Sequence, residues 1–127
     1  MDVKELLGTP YKMHGRTTQE GLDCWGLVLL IYADMGIRLP DPVYCSQGDF
    51  PQVAENLGSL TSIFNKVDIP EKNSIIMIKV HNVCSHCGIY LGDGYFIHST
   101  SSHGVIIEPV YRYKKRIEGY YKVSDNL

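Results

Sequence analysis

One cysteine stands out as the residue of this sequence best placed to do chemistry. Cys24 lies where a loop-like segment, residues 9–23, gives way to a run of apolar residues at helical spacing that Gly36 ends. A thiol at the first turn of a helix faces unpaired N–H groups and the positive end of the helix dipole, which lower its pKa. Cys24 is therefore predicted to be a nucleophile, although a lone cysteine is more often a small buried apolar residue.

Two histidines on neighbouring predicted strands could serve that nucleophile. His86 and His98 flank a turn at residues 92–94, Gly-Asp-Gly. A three-residue loop there would place Gly88 opposite His98, with His86 diagonal to His98 on the same face of the sheet. A two-residue loop would instead place the histidines on opposite faces. On one face they fit a general base and its orienting partner for Cys24.

The elements that must position these residues fall into two halves of the chain. The first half predicts a short helix over residues 2–7, a longer helix from Cys24 to Met35 and another short helix from Pro51 to Leu57. The second half predicts a strand meander from five short runs rich in Ile, Val and Tyr, at residues 74–80, 84–91, 95–99, 105–108 and 120–123. Helices followed by strands predict one α+β domain over residues 1–127, with an antiparallel sheet.

Composition excludes several classes of protein. The net charge is −2, so the chain has no basic excess with which to hold a nucleic-acid backbone. The first residues are too charged for a signal peptide, which predicts synthesis in the cytoplasm, and the longest apolar run, residues 27–33, is too short to span a bilayer. The four cysteines are expected to be reactive or buried thiols rather than disulfides.

Three segments, in this order, resemble the NlpC family of papain-like cell-wall peptidases. They are Asp-Cys-Trp-Gly-Leu-Val at residues 23–28, His-Cys-Gly-Ile-Tyr-Leu-Gly-Asp-Gly at 86–94 and Phe-Ile-His-Ser at 96–99. Residues 8–11 and 36–40 resemble the family's segments before the nucleophile and after its helix. The resemblance implies a papain-like α+β fold, in which the nucleophile helix packs on an antiparallel sheet.

The resemblance also implies an activity and a set of site residues. The activity is hydrolysis of peptide bonds in peptidoglycan stem peptides, beside D-glutamate and a diamino acid, without a cofactor or metal. Cys24 would be the nucleophile, His86 the base and His98 the third polar group. Tyr11 would line the site near the oxyanion, and Asp23 would help to hold the free amino group of the substrate.

The tryptophan after the cysteine, together with Gly15 and Arg16, is most similar to members encoded by bacteriophages for tail assembly or tail-tip wall digestion. This similarity implies phage tail proteins as partners and a virion tail as the location, besides the stem-peptide substrate. A catalytically silent structural or adaptor domain of a phage tail remains an alternative. The intact Cys24, His86 and His98 argue against it.

A metal-binding module is the third possible function. Cys84, His86 and Cys87 have the spacing of a zinc knuckle, but a second close pair of ligands is missing from the sequence. If residues 84–91 form an extended strand, Cys84 shares the face of His86 and Cys87 points to the other face. The two cysteines could then not bind one ion. Cys87 also departs from the family, which commonly has a small aliphatic residue after the histidine.

Overall fold

The computed structural model describes residues 1–41 and 64–123, in which one α-helix packs on a six-stranded antiparallel sheet. A 3-10 helix, Val3–Leu6, and a two-stranded hairpin of β1 and β2 precede helix α1. The bounds are β1 Arg16–Thr17, β2 Gly21–Leu22, α1 Cys24–Asp34, β3 Phe64–Val67, β4 Ile75–Val80, β5 Val83–Gly92, β6 Tyr95–Thr100, β7 Gly104–Pro109 and β8 Ile117–Val123. A second 3-10 helix, Val110–Tyr113, connects β7 to β8. This arrangement confirms the predicted α+β class.

Helix α1 begins at Cys24 because the preceding residue caps it. Asp23 has an extended backbone, and its Oδ1 accepts a hydrogen bond from the N–H of Gly26 at 2.7 Å, which is the usual geometry of an N-cap. The helix ends before Gly36, whose φ of +83° is the left-handed conformation that terminates helices. The predicted helix is thus confirmed to within one residue. No described helix is long and apolar enough to cross a membrane.

The sheet has the strand order β3-β8-β4-β5-β6-β7. Strands β4 to β7 form the predicted meander, whereas β8 returns to pair with β4 and β3. The face that carries Met77 and Cys87 packs against α1, and the other face, with Ile76 and Phe96, packs against the segment that contains the second 3-10 helix. Strand β3 was not predicted. Burial on both faces explains why the central strands are almost continuously apolar.

Three other predictions need correction or fall outside the described residues. Residues 9–23 contain the β1–β2 hairpin and are not merely a loop. The short helix over residues 2–7 is a 3-10 helix, with the Asp2 side chain accepting from the N–H of Lys4. The helix predicted from Pro51 to Leu57 lies outside the described residues.

The hairpin between β5 and β6 has a two-residue turn and not the predicted three-residue loop. Gly92 pairs with Tyr95, and the turn residues Asp93 and Gly94 have φ of 55° and 87°, as tight hairpin turns require. A bulge at Leu91 compensates for the shorter turn. The pairing resumes in the predicted register, and His86 and His98 remain on one face despite the wrong loop length.

Candidate active site

The Cys24 side chain is partly exposed at the start of α1 and lines a cavity of about 360 Å³. A hydrogen bond from Cys87 and a further one with His86, together with the positive charge available on His86, lower its pKa to about 5, against the opposing effect of burial. The same hydrogen bond to Cys24, together with burial, raises the pKa of Cys87. At neutral pH, Cys24 is therefore the thiolate and Cys87 the thiol that donates to it.

His86 is connected to a line of polar groups that crosses three strands. Its Nε2 lies 2.8 Å from Nδ1 of His98, and Nε2 of His98 lies 2.8 Å from Oε1 of Glu108. Glu108 also accepts a hydrogen bond from the hydroxyl of Tyr113 at 2.7 Å. Since Nε2 of His86 faces His98, Nδ1 is the ring nitrogen left for Cys24. The predicted nucleophile, base and third polar group are thus brought together.

His98 is fully buried and stays neutral at physiological pH. Burial and the neighbouring His86 lower its pKa to about 4, although Glu108 opposes this effect. The ring of Tyr113 stands edge-on to that of His98, with 5.3 Å between centroids, and covers it. His98 therefore acts as a fixed hydrogen-bonding group and not as a second base.

A bulge in β5 decides where the two cysteines beside His86 point. His86 pairs with Ile78 on β4 but Cys84 pairs with Lys79, which leaves Ser85 as the extra residue. As a result, Cys84 and Cys87 both contact the core cluster beneath α1. The prediction that they lie on opposite faces is wrong, because strand alternation fails at a bulge.

The structure brings no metal-binding group together around these cysteines. Among residues 1–41 and 64–123, no cluster of three or more His, Cys, Asp or Glu side chains is arranged to hold a metal ion. Burial, with smaller effects from nearby charges, raises the pKa of Cys84 to about 11, so its thiol stays protonated at neutral pH. A protonated thiol is a poor metal ligand.

Asp23 holds the loop that carries the nucleophile. Its Oδ1 accepts from Nη1 of Arg16 at 2.8 Å as well as from Gly26, and its Oδ2 accepts from the N–H of His14 at 3.0 Å. Arg16 also forms a bidentate pair with Asp41. The carboxylate lines the cavity, so the amino-group role predicted for Asp23 coexists with three hydrogen bonds from the protein itself. A carboxylate has about four acceptor positions, which leaves one for a ligand.

Two close backbone approaches explain a glycine in this loop and another in the first turn of α1. A Cβ on Gly26 would lie 2.1 Å from the carbonyl oxygen of Gly15, and a Cβ on Gly15 would lie 2.1 Å from that of Gly21. No side chain fits at such distances. Gly15 and Arg16, which in the sequence resembled phage-encoded members, thus have structural roles beside Cys24.

A single hydroxyl connects the nucleophile loop to the sheet that carries the histidines. Ser99, which follows His98 on β6, donates from Oγ to the carbonyl of Leu22 at 2.6 Å, and both residues are buried. Leu22 lies two residues before Cys24. This bond fixes the distance between the loop and β6, and so between the thiol and the histidines.

The cavity contains each of the five predicted site residues, whereas three further residues that act on them were not predicted from the sequence. Tyr11, Asp23, Cys24, His86 and His98 all line it. The missed residues are Cys87, Glu108 and Tyr113. Glu108 ends the run 105–108 that the sequence predicts as the strand after His98, so an acidic residue there could have been considered as a partner. Tyr113 follows the strand and gave no signal.

A thiolate at the start of a helix, hydrogen-bonded to a histidine on an antiparallel sheet, defines the papain-like class of folds with a cysteine–histidine pair. Within that class, the chain belongs to the NlpC/P60 family, whose sequence profile it matches over residues 8–121. The match confirms the family predicted from the sequence.

Curated relatives with similar sequences have named activities. The chain is 35% identical over 90% of its length to the gamma-DL-glutamyl hydrolase of Bacillus subtilis, and 29% identical over 79% to the murein DD-endopeptidase MepS/murein LD-carboxypeptidase of Escherichia coli K12. It spans 25% of the first relative and 47% of the second.

Solved structures agree with the fold. An NlpC/P60 family protein from Bacillus cereus is 26% identical, with a TM-score of 0.73 over 94% of this chain and 37% of its own. RipD from Mycobacterium tuberculosis, described as a non-catalytic NlpC/p60 domain protein, has a TM-score of 0.64 at 21% identity, over 94% of this chain and 88% of its own. The second likeness concerns the fold alone, and it shows that the fold occurs without catalysis.

Proposed function

We propose that this chain is a cysteine peptidase that hydrolyses peptide bonds in bacterial peptidoglycan stem peptides, at the bond between D-glutamate and a diamino acid. One observation carries the proposal. The Cys24 thiolate, His86 and His98 form a continuous hydrogen-bonded line in a cavity open to solvent. Such a line is what nucleophilic catalysis by a thiol requires.

The geometry suits a two-step acyl transfer. The sulfur of Cys24 attacks the scissile carbonyl carbon, and protonated His86 gives its proton to the leaving amine as the C–N bond breaks. Water, deprotonated by His86, then attacks the thioester and releases the carboxylic acid product and the Cys24 thiolate, which restores the pair of thiolate and protonated His86. His98 keeps the His86 ring in place throughout. Tyr11 lines the cavity, and the family resemblance assigns it to the oxyanion of each tetrahedral intermediate.

The substrate class is supported by the relatives and by Asp23. The names of two similar proteins refer to a glutamyl linkage and to murein, and the similarity covers 90% and 79% of this chain respectively. Asp23 is only 6% exposed and lines the cavity next to Cys24. A buried anion there favours an ammonium group, such as the free amino terminus of a stem peptide.

The test is incubation of the purified chain with synthetic L-Ala-γ-D-Glu-diamino acid peptides, with fragments identified by mass spectrometry. We expect cleavage after D-glutamate and none by Cys24→Ala. Cleavage should survive EDTA, because no step uses a metal. One bound zinc per chain, with activity lost in EDTA, would contradict the proposal in favour of the metal-binding module.

A silent adaptor domain would give a different result in the same assay. It would release no fragments from any stem peptide, as the existence of a non-catalytic relative of this fold allows. Retention of the thiolate and both histidines favours activity. Failure to cleave by a chain whose Cys24 still reacts with iodoacetamide would therefore refute the peptidase and support the adaptor.

We further propose that the domain works in a phage tail, made in the cytoplasm and carried to the cell wall by the virion. The support is the resemblance of Trp25 and the Gly15-Arg16 pair to phage-encoded members. In the structure, Trp25 is fully buried and its Nε1 donates to the carbonyl of Pro40 at 3.0 Å. Mass spectrometry of tail particles purified from the producing strain tests this proposal, and absence of the chain from such particles would contradict it.

A further inference from the structure

We propose that Glu108 is a positioning residue, which fixes the tautomer of His98 and through it aims the basic nitrogen of His86 at Cys24. The inference rests on the proposed function, because a tautomer matters only if His86 exchanges a proton with the thiol. It adds a fourth member to the line formed by Cys24, His86 and His98.

The placement of Glu108 follows from the register of the sheet. Phe96 pairs with Glu108 and His98 pairs with Ile106, so Glu108 lies diagonally from His98 on the same face. His86 lies diagonally from His98 in the same way on the other side. The three side chains therefore form one diagonal row across β5, β6 and β7, with 2.8 Å between polar atoms at both junctions.

The tautomers along this row are set by Glu108, which can only accept hydrogen bonds. Hydrogen bonds from Tyr113, His98 and Arg112 lower the pKa of Glu108 against the opposing effect of burial, so Glu108 is ionised at neutral pH. An ionised carboxylate has no proton to donate, and neutral His98 has one N–H, which must therefore be at Nε2. Nδ1 of His98 is then the acceptor.

The acceptor at Nδ1 of His98 fixes the tautomer of His86. With Nδ1 of His98 accepting, Nε2 of His86 must donate, and a neutral His86 then carries its lone pair at Nδ1. That lone pair is directed to the Cys24 thiol, the proton of which it can take. The opposite His98 tautomer would donate to His86 and place the His86 proton at Nδ1, where it could not act as a base.

Glu108 is itself held on both oxygens. Tyr113 donates to Oε1 at 2.7 Å, and Nη1 of Arg112 approaches Oε2 at 3.2 Å. Arg112 is more than half exposed, so this ion pair contributes little by itself. The Glu108 side chain is largely buried, and its carboxylate is hydrogen-bonded to the fully buried imidazole of His98. Glu108 is therefore placed to act on His98 and not on solvent.

Glu108→Gln tests the inference, because glutamine keeps the shape but can donate from Nε2 and so permits the wrong tautomer. The readout is the rate of Cys24 alkylation by iodoacetamide across pH 4–9, located by peptide mapping. We expect the rate near pH 6 to fall by about tenfold, the size of loss that follows removal of the carboxylate partner of a metal-bound histidine. The midpoint should move to higher pH.

The matched control is Glu118→Gln. Glu118 also accepts from a tyrosine hydroxyl and pairs with a cation, Tyr121 and Lys66 respectively, but it contacts no histidine among the described residues. It should leave the Cys24 alkylation profile unchanged. If both variants lowered the Cys24 alkylation rate equally, the loss of a carboxylate would act by lowering the overall stability of the protein. That result would overturn the inference.

A double-variant comparison separates positioning from structural support. In the His98→Ala background, Glu108→Gln should add no further loss of alkylation rate, because no tautomer remains to be set. A further loss as large as in the wild-type background would show that Glu108 acts by another route and would overturn the inference.

A measurement on the unaltered protein covers the case in which Glu108→Gln does not fold. Two-bond ¹H–¹⁵N spectra at pH 7 should show His98 protonated at Nε2 alone. Protonation at Nδ1 would refute the proposal. Alkylation and tautomer state need no peptide substrate, so failure to cleave stem peptides would count against the proposed function and leave this inference standing.

Discussion

The thiol of Cys87 donates a hydrogen bond to the sulfur of Cys24, from the strand position directly after His86. The nucleophile therefore has two hydrogen-bonding partners on β5, the imidazole of His86 and the thiol of Cys87. As neighbours in a strand, these two side chains point to opposite faces of the sheet. A small aliphatic residue at position 87 would fill the core equally well but could not donate. Cys87 thus links packing beneath α1 to the chemistry of the site.

The pKa values predict an order of reaction among the thiols. Near pH 6, Cys24 should be alkylated first by limiting iodoacetamide, because its pKa is about 5, whereas burial raises the pKa of Cys84 to about 11 and the hydrogen bond to Cys24, together with burial, raises that of Cys87. Peptide mapping measures the order. Equal labelling, or labelling of Cys24 last, would contradict the assignment of the nucleophile. Cys45 lies outside the described residues and is expected to react after Cys24.

The same values predict how activity depends on pH. The thiolate of Cys24 is present above pH 5 and is lost as the pH falls through that value, so kcat/KM should decrease on the acid side with a midpoint near 5. Protonation of His98, whose pKa is about 4, would remove the acceptor at Nδ1 and steepen the loss. A midpoint near 8.5, the value of an ordinary cysteine, would show that the thiolate is not stabilised.

Replacement of Cys87 should separate its hydrogen bond from its volume. Cys87→Ala removes the donor and should raise the pKa of Cys24 by about one unit or more, which lowers alkylation at pH 6. Cys87→Ser, similar in size and still a donor, should retain most of the rate. The alkylation profile of Cys24 measures both. Identical profiles for alanine and serine would mean that volume and not hydrogen bonding at position 87 matters.

His98 should be replaceable by a residue that accepts a hydrogen bond. His98→Asn keeps an acceptor for His86 and should retain more activity than His98→Ala, which also leaves a cavity in a fully buried position. His86→Ala should lose activity by roughly 10²–10⁴-fold, the usual contribution of a general base. Stem-peptide cleavage rates measure all three. Appreciable activity in His86→Ala would place the base elsewhere.

A methyl group at Gly88 should disturb the site more than a methyl group elsewhere in the sheet. The Cβ of alanine there would lie 2.7 Å from the carbonyl oxygen of Ile97 and 2.9 Å from the Cβ of His98, so β6 must shift. We expect Gly88→Ala to lower the free energy of unfolding by about 1–3 kcal/mol. We also expect the folded variant to cleave more slowly, because the shift of β6 displaces His98.

Gly119→Ala is the control for this prediction, because its nearest neighbour is the flexible end of Lys66. Thermal midpoints and cleavage rates measure both variants. A Gly88→Ala protein with the stability and activity of Gly119→Ala would show that β6 tolerates the displacement.

Asp23 predicts a preference for a free amino terminus. Acetylation of the amine of a stem peptide should weaken cleavage strongly, and Asp23→Asn should narrow the difference between free and acetylated peptides. The ratio is the useful measure, because Asp23→Asn also weakens the cap of α1 and the Arg16 pair. Asp41→Asn, which loosens Arg16 alone, should preserve the ratio. Equal cleavage of free and acetylated peptides would contradict this role of Asp23 and would favour an enzyme that acts within longer peptidoglycan strands.

The sequence by itself determined the local elements of secondary structure and the position of the candidate nucleophile at the start of a helix. The apolar run at helical spacing that follows residues 9–23 and ends at Gly36 predicts a helix-terminal thiol at Cys24. Short runs rich in Ile, Val and Tyr predict β4 to β7, and the glycines around residue 93 predict the hairpin. These features depend on residues close together in the chain, so a pattern of residue types is sufficient to find them.

Only the tertiary structure decided which side chains meet. The bulges at Ser85 and Leu91 change the face of Cys84 and restore the register of His98, and no residue type marks a bulge uniquely. Glu108 reaches His98, and Cys87 reaches Cys24, only because β6 pairs with β7 and α1 lies on β5. Such contacts join residues distant in sequence, and their energies depend on burial, which the fold creates and a sequence pattern does not contain.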